Sequence, residues 1–208
     1  MTSVETIAAS VYPDGPFDIG EEKDPTFSPL DRAALDAALP HIDAAPADVG
    51  TVALVLRRPA SNQREVLATA ELNLAEGIVG DSWNQRGSSR TDDGGPHPDM
   101  QLNLMNARVA ATIAQSPERW ALAGDELYVD LDLSEANLPP GTRLRLGTAV
   151  IEITDQPHTG CAKFTRRFGL DAYRWVNDEP GMARRLRGVN AKVVEEGTVS
   201  PGDPIAKL

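Results

Sequence analysis

Cys161 is the single cysteine in 208 residues, and its neighbours are residue types that make a thiol reactive. A strand-patterned run ending at Thr154 and the turn 156-QPHTG-160 precede it, and the helix-patterned run 162-AKFTRRF-168 follows. A thiol at a helix N-terminus has its thiolate stabilised by the helix dipole and by free backbone N–H groups. Lys163, Arg166 and Arg167 add positive charge, and His158 stands three residues upstream, where it could serve as a base. Such a cysteine can carry sulfur as a persulfide or ligate a soft metal. The same residue reads equally well as a small buried apolar side chain, and His158 as an exposed turn residue. One cysteine allows no intramolecular disulfide and no cysteine-based zinc cluster within the chain. The three histidines, His41, His97 and His158, have no metal-ligand spacing, and no Gly-x-Ser-x-Gly elbow is present. Hydrolytic zinc and serine-hydrolase chemistry are therefore unsupported.

Other polar residues have plainer roles to set against a chemical one. Residues 161–187 hold seven bases and three acids, a basic stretch in a chain of net charge -11. Local positive charge of this kind suits a small anion. For most of these residues a solvated face is the simpler reading; helical spacing separates Arg166 from Arg167, so that one points inward. Arg187, in 187-RGVNAKVV-194, stands before a glycine and a strand, where a guanidinium can project toward a ligand. Asp81 closes 77-GIVGD-81, a sequence that also reads as a turn. Asn103 and Asn106 flank a strand-to-helix passage; capping accounts for Asn106 but not readily for Asn103.

These residues need elements to hold them. Residues 1–46 carry six of the sixteen prolines, and residues 1–50 hold ten acids against two bases. We read 1–46 as an acidic extension with one short helix over 28-SPLDRAALDAALP-40, capped by Ser28 with Pro29 in its first turn, and mobile chain before it. The domain proper spans 47–208. The run 51-TVALVLR-57 predicts a strand, paired in a hairpin with 65-EVLATAELN-73. A polar, Gly-rich loop follows from Gly77 to Pro98. Then come a strand at 101–105, helices at 106–115 and 116–124, a strand at 126–133, a hairpin at 143–154 around Gly147 and Thr148, and short helical pieces through Trp175. The end, 189–208, predicts a strand, a Glu-Gly turn and a closing strand. About seven short strands with local hairpins argue against a doubly wound sheet, which needs strand–helix alternation and a phosphate-binding glycine turn. A mainly β, closed or nearly closed mixed barrel with short peripheral helices fits better.

Composition narrows the function classes. A hydrophobic content of 41% and a charged fraction of 25% suit one soluble domain. The acidic net charge disfavours nucleic acid and anionic membrane surfaces as partners. Apolar runs such as 52-VALVL-56 are too short to span a bilayer, and the first thirty residues do not resemble a signal peptide. The expectation is a cytoplasmic protein with a reduced thiol.

The order of motifs resembles the MOSC domain, the domain found at the C-terminus of molybdenum-cofactor sulfurases. The blocks are 77-GIVGD-81, 101-QLNLMN-106, 124-GDELYVDLDLSEANLPPGTRLRLGTAVIEI-153, 156-QPHTGCAKFTRRFG-169 with its proline-then-cysteine signature, and 184-RRLRGVNAKVVEEGTVSPGD-203. The likeness covers roughly residues 50–208 and resembles a bacterial stand-alone member. It implies a barrel-like fold with Cys161 as the functional thiol, either a sulfur carrier or a ligand of molybdenum cofactor. Carried over by position, Lys163, Arg187 and Asn103 would line the pocket around the pterin phosphate, with Asp81 at its mouth and His158 beside it. The stretch 82-SWNQRGSSR-90 departs from bacterial relatives, which carry a histidine soon after the aspartate, and the acidic extension does not resemble the extra N-terminal barrel of the amidoxime-reducing relatives. The resemblance implies one of two functions: a molybdenum-cofactor-dependent oxidoreductase or sulfurtransferase, or a non-catalytic module that delivers sulfur or cofactor to a docked protein partner. Pyridoxal phosphate is not implied, because the sulfurases use it on a separate domain. A two-fold homodimer is the default for a small enzyme.

Overall fold

The computed structural model describes residues 9–20 and 24–208. In chain order the strands are β1 (Phe17–Asp18), β2 (Val49–Arg57), β3 (Gln63–Val66), β4 (Ala70–Asn73), β5 (Gly77–Ile78), β6 (Leu102–Asn106) and β7 (Leu127–Asp130). They continue as β8 (Arg143–Leu146), β9 (Ala149–Ile153), β10 (Val189–Glu195), β11 (Gly197–Val199) and β12 (Pro204–Lys207). The helices are α1 (Arg32–Ala37), α2 (Leu39–Asp43), α3 (Ala107–Ala114), α4 (Ala162–Asn177) and α5 (Glu179–Ala183).

Seven strands close into a barrel in the order β2-β12-β8-β9-β10-β6-β7, with β7 returning to β2. All neighbours are antiparallel except β6 and β7. A parallel pair needs a long crossover, supplied here by α3 and a 3-10 helix over Pro117–Ala123. The mixed barrel expected from the sequence is thus the fold. A small sheet, β11-β4-β5, lies beside it.

Alternation decides which side each residue serves. Leu102 and Leu104 of β6, Leu127 and Val129 of β7, and Val189 and Ala191 of β10 fill the barrel. The intervening Met105 and Tyr128 belong to a second core between the barrel wall and the helices, with Trp120, Phe164, Phe168 and Trp175. In β2 the run is apolar throughout because it serves both layers. A register shift against β7 between Val52 and Leu54 keeps Val52 and Val55 inside while Leu54 and Leu56 face the helices. Asn103 and Asn190 occupy the outward positions of their strands and stand opposite each other in the β6–β10 register.

Several expected elements differ in detail. The run 65–73 is two strands, not one: β3 pairs with β2, whereas β4 leaves for the small sheet. The C-terminal segment gains β11, which pairs with β4. The helix over 28–40 is two short helices, α1 and α2. Asp31 rather than Ser28 caps α1, its carboxylate accepting from Ala34 N–H at 2.8 Å, while Pro29 packs against Gly169. Of the acidic stretch, residues 1–8 and 21–23 lie outside the described residues. Tyr12, Leu35 and Ile42 are buried in the helix-side core. Helix α4 is interrupted at Gly169, whose φ of 91° is a left-handed conformation that favours glycine. The interruption turns the second half of the helix back toward the chain that enters the first.

Candidate functional site

Cys161 is exposed and occupies the N-cap of α4, with extended backbone and no capping hydrogen bond from its side chain. Its carbonyl accepts from Thr165 N–H at 3.0 Å, as the first turn of a helix requires. The residue before it is clamped. Gly160 N–H donates to Asn177 Oδ1 at 3.0 Å, and Asn177 Nδ2 donates to the carbonyls of Tyr173 at 2.9 Å and Gly160 at 3.4 Å. Asn177 lies at the far end of the same helix and reaches Gly160 because α4 turns at Gly169. Lys163, half-buried, donates from Nζ to Asn62 Oδ1 at 2.9 Å. Of the two neighbouring arginines, Arg166 is exposed, while Arg167 is buried and donates to the carbonyls of Leu122 and Gly20.

The other candidates sit in two adjoining networks on the outer wall of the barrel. In the first, Arg58 follows β2, is buried, and donates to Asp81 from Nε at 3.1 Å and from Nη2 at 3.2 Å, and to Asn103 Oδ1 at 2.8 Å. It also pairs with Glu126. Asp81 further accepts from the backbone N–H of Arg58 and Trp83. Asn103 Nδ2 donates to Asn190 Oδ1 at 2.6 Å, and Asn190 Nδ2 donates to the carbonyl of Gln156 at 3.0 Å, in the turn before Cys161. A charge this deep is tolerable only when paired and hydrogen-bonded.

In the second network, Asp125, fully buried, holds Arg187 and His158. Arg187 Nη1 donates to its two carboxylate oxygens at 2.9 and 2.7 Å, and Nη2 donates to Ala123 O at 2.9 Å. His158 Nε2 meets Asp125 Oδ1 at 2.7 Å. Burial alone would raise the Asp125 carboxyl, but the charge of Arg187 and the hydrogen bonds from His158 and Arg187 outweigh it and hold the pKa at about 2. Burial, reinforced by the Arg187 charge, lowers the His158 pKa against the pull of Asp125. His158 is therefore neutral at neutral pH. Because an ionised carboxylate only accepts, Nε2 carries the proton and Nδ1 the lone pair. Gly188 fixes the approach of Arg187 to this site: its φ is 108°, and a Cβ there would meet Leu104 O at 2.1 Å.

His158 thus pairs with Asp125, Asp81 and Asn103 are engaged within the protein, and Arg187 is engaged through Nη1 and Nη2, while its Nε is buried without a hydrogen-bond partner among the described residues. Asn106 caps α3, as its position predicts, accepting from Arg108 and Val109 N–H. Arg58, Asp125, Glu126, Asn190 and Asn177 were not singled out by sequence reasoning. A signal was present for Asp125 and Glu126: two adjacent acids immediately before the run Leu127–Val129 that opens β7. For Asn177, two residues beyond the short helical pieces read through Trp175, there was none; in the structure it ends the same helix that Cys161 caps.

A family model described as MOSC domain matches residues 97–206, more than half of the chain. No curated protein matches. Among solved structures, YuaD protein from Bacillus subtilis is 16% identical with a TM-score of 0.50, covering 76% of this chain and 94% of that one. A crystal structure of a hypothetical protein is 24% identical with a TM-score of 0.51, covering 76% of this chain and 67% of that one. At these identities the two structures show a shared fold.

Proposed function

This chain belongs to the MOSC domain family, and on that footing we propose that it holds molybdenum cofactor through Cys161, in the service of an oxidoreductase or sulfur-transfer reaction. The observation that carries this reading is the exposed thiol at the head of α4, next to a backbone held at Gly160. The donor set fits the group. A thiolate is a soft ligand of the kind that favours soft metals. Among the described residues no group of three or more His, Cys, Asp or Glu could hold a metal ion, so a metal on Cys161 would bring its remaining ligands with it, as a pterin dithiolene does. Cys161 would ligate the metal and Lys163 would meet the cofactor's phosphate. When bound, the cofactor would supply two-electron or sulfur chemistry at molybdenum.

The remaining residues act on the thiol's position. Asn177 fixes Gly160, and Asn190 fixes the carbonyl of Gln156, so the turn that presents Cys161 is held at two points. The buried networks anchor those contacts to β6, β7 and β10. No polar group of Arg187, Asn103 or Asp81 need leave its protein partner for this purpose, and we assign them a positioning part.

The exposure of Cys161 also favours a second reading, in which a persulfide on this thiol is handed to a partner protein without turnover. The two are separated by elemental analysis of protein made in a host that synthesises the cofactor. Stoichiometric molybdenum in the wild type, lost in Cys161→Ala, is the expected result. Metal in neither protein, with a labile sulfur on Cys161 detected by mass spectrometry, would transfer the assignment to the carrier reading. Absence of both would overturn each.

A further inference from the structure

The N-terminal stretch grips the first half of α4 from outside. Residues 12–20 and 24–29 lie beyond the 97–206 region that the MOSC model matches. Asn62, in the β2–β3 turn, is the first link. Its carbonyl accepts from Ile19 N–H at 2.9 Å, and its Oδ1 accepts from Lys163 Nζ at 2.9 Å. Its φ of 59° is a left-handed conformation, which asparagine adopts more readily than most residues.

One helical turn beyond Lys163, the buried Arg167 donates from Nη2 to Gly20 O at 3.0 Å. Its own carbonyl accepts from Arg119 Nη2 at 3.0 Å. Arg119 is held in turn by Asp24 at 2.7 Å and by the Phe27 ring, 3.6 Å from its guanidinium carbon. At the break in the helix, Pro29 packs on Gly169. These contacts follow α4 from beside Cys161 to the break that brings Asn177 back to Gly160.

The stretch is itself lightly held. Tyr12 is its buried anchor, donating from its hydroxyl to Pro117 O at 2.6 Å and stacking on Phe17 with centroids 5.6 Å apart. Beyond Tyr12, residues Pro13, Asp14, Gly15, Pro16, Asp18 and Gly20 are exposed. β1 has two residues and stands at the end of its sheet, beside β3. Segments with few buried apolar contacts and exposed backbone hydrogen bonds open locally, at less than the global unfolding free energy. β6, buried along its whole length, is of the opposite kind.

We propose that residues 12–20 and 24–29 form a strap that opens and closes as one unit with the first half of α4. Closed, it fixes Lys163 through Asn62 and Arg167 through Gly20. Open, it frees the helical turn that carries Cys161 while the barrel stays intact. The strap thus sets how firmly the thiol is presented. That consequence rests on the reading of Cys161 and Lys163 given above; the coupling itself does not.

Native-state hydrogen exchange of the full chain tests the coupling. The Ile19 amide and the amides of 165–168 are expected to share one opening free energy, lower than that of the β6 amides. Ile19→Pro, on an exposed edge, removes the N–H given to Asn62. It should speed exchange at 165–168 by about tenfold, the effect of losing one hydrogen bond, and leave β6 unchanged. Tyr12→Phe deletes the bond to Pro117 and keeps the ring in the core. It should speed exchange at Ile19 and at 165–168 together. Protection at 165–168 equal to that of β6, an Ile19 amide that opens while 165–168 stays closed, exchange at 165–168 unmoved by either variant, or an equal rise at β6 would each overturn the proposal. None of these outcomes bears on molybdenum content, so failure here is distinct from failure of the Cys161 reading.

Discussion

His158 and Asp125 respond to pH in ways that their surroundings dictate. Asp125 is held at about 2 in the folded protein against an ordinary 3.8. Its pairing contributes stability above the ordinary value, on the order of 2 kcal/mol, lost as pH falls from about 4 toward 2. His158 has a folded pKa below its ordinary 6.5. Below that value the unfolded chain takes up a proton that the folded one resists, so stability falls as pH drops from about 6.5 toward the folded pKa. His158→Gln removes this linkage. Urea unfolding at pH 7.5 and 5.5 should show a smaller loss for the variant than for the wild type; equal losses would refute the assignment of a neutral, buried imidazole. Asn103 and Asn190 make a further test at this scale. Replacing one leaves its partner's buried amide unsatisfied, so Asn103→Ala should cost about 1–3 kcal/mol.

At the scale of the element, the break in α4 explains how one helix both carries Cys161 and restrains it. Gly169 sits at φ 91°, and a Cβ there would lie 2.6 Å from Pro29 Cβ. Gly169→Ala should therefore destabilise the fold by about 1–3 kcal/mol. The clamp at its far end can be read separately. Asn177→Ala frees Gly160 and should change the alkylation rate of Cys161 by iodoacetamide, with Asn177→Asp restoring only the half of the contact in which Oδ1 accepts. An unchanged rate in Asn177→Ala would remove Asn177 from the positioning of the thiol.

Across the whole molecule, the barrel depends on closure by its last strand. β12 pairs with both β2 and β8, and Ile205 is fully buried between them. Deleting 204–208 should leave β2 and β8 with open edges and abolish cooperative thermal unfolding, measured by circular dichroism. Retained cooperativity would mean that the remaining strands close without it. Among the described residues no helix is long and apolar enough to cross a membrane.

Local features are written in the chain itself. Alternation in 143–154 and 189–194, the Asn106 cap and the mixed barrel were legible because each depends on near neighbours and on which face of a strand is apolar. The place of Cys161, at a turn before a helix, was legible for the same reason. Contacts between distant segments set the rest. β3 ends at Val66 and β4 begins at Ala70 because their partners, β2 and β11, lie in different sheets. Arg187 read as a free guanidinium until Asp125, sixty-two residues earlier, was brought against it. The basic count of 161–187 suggested an anion site, yet the fold pairs Arg187 with Asp125 and Arg184 with Asp43, acids from distant segments. Charge along a chain adds by sequence, whereas the field in a cleft adds by distance, and only the fold sets the distances.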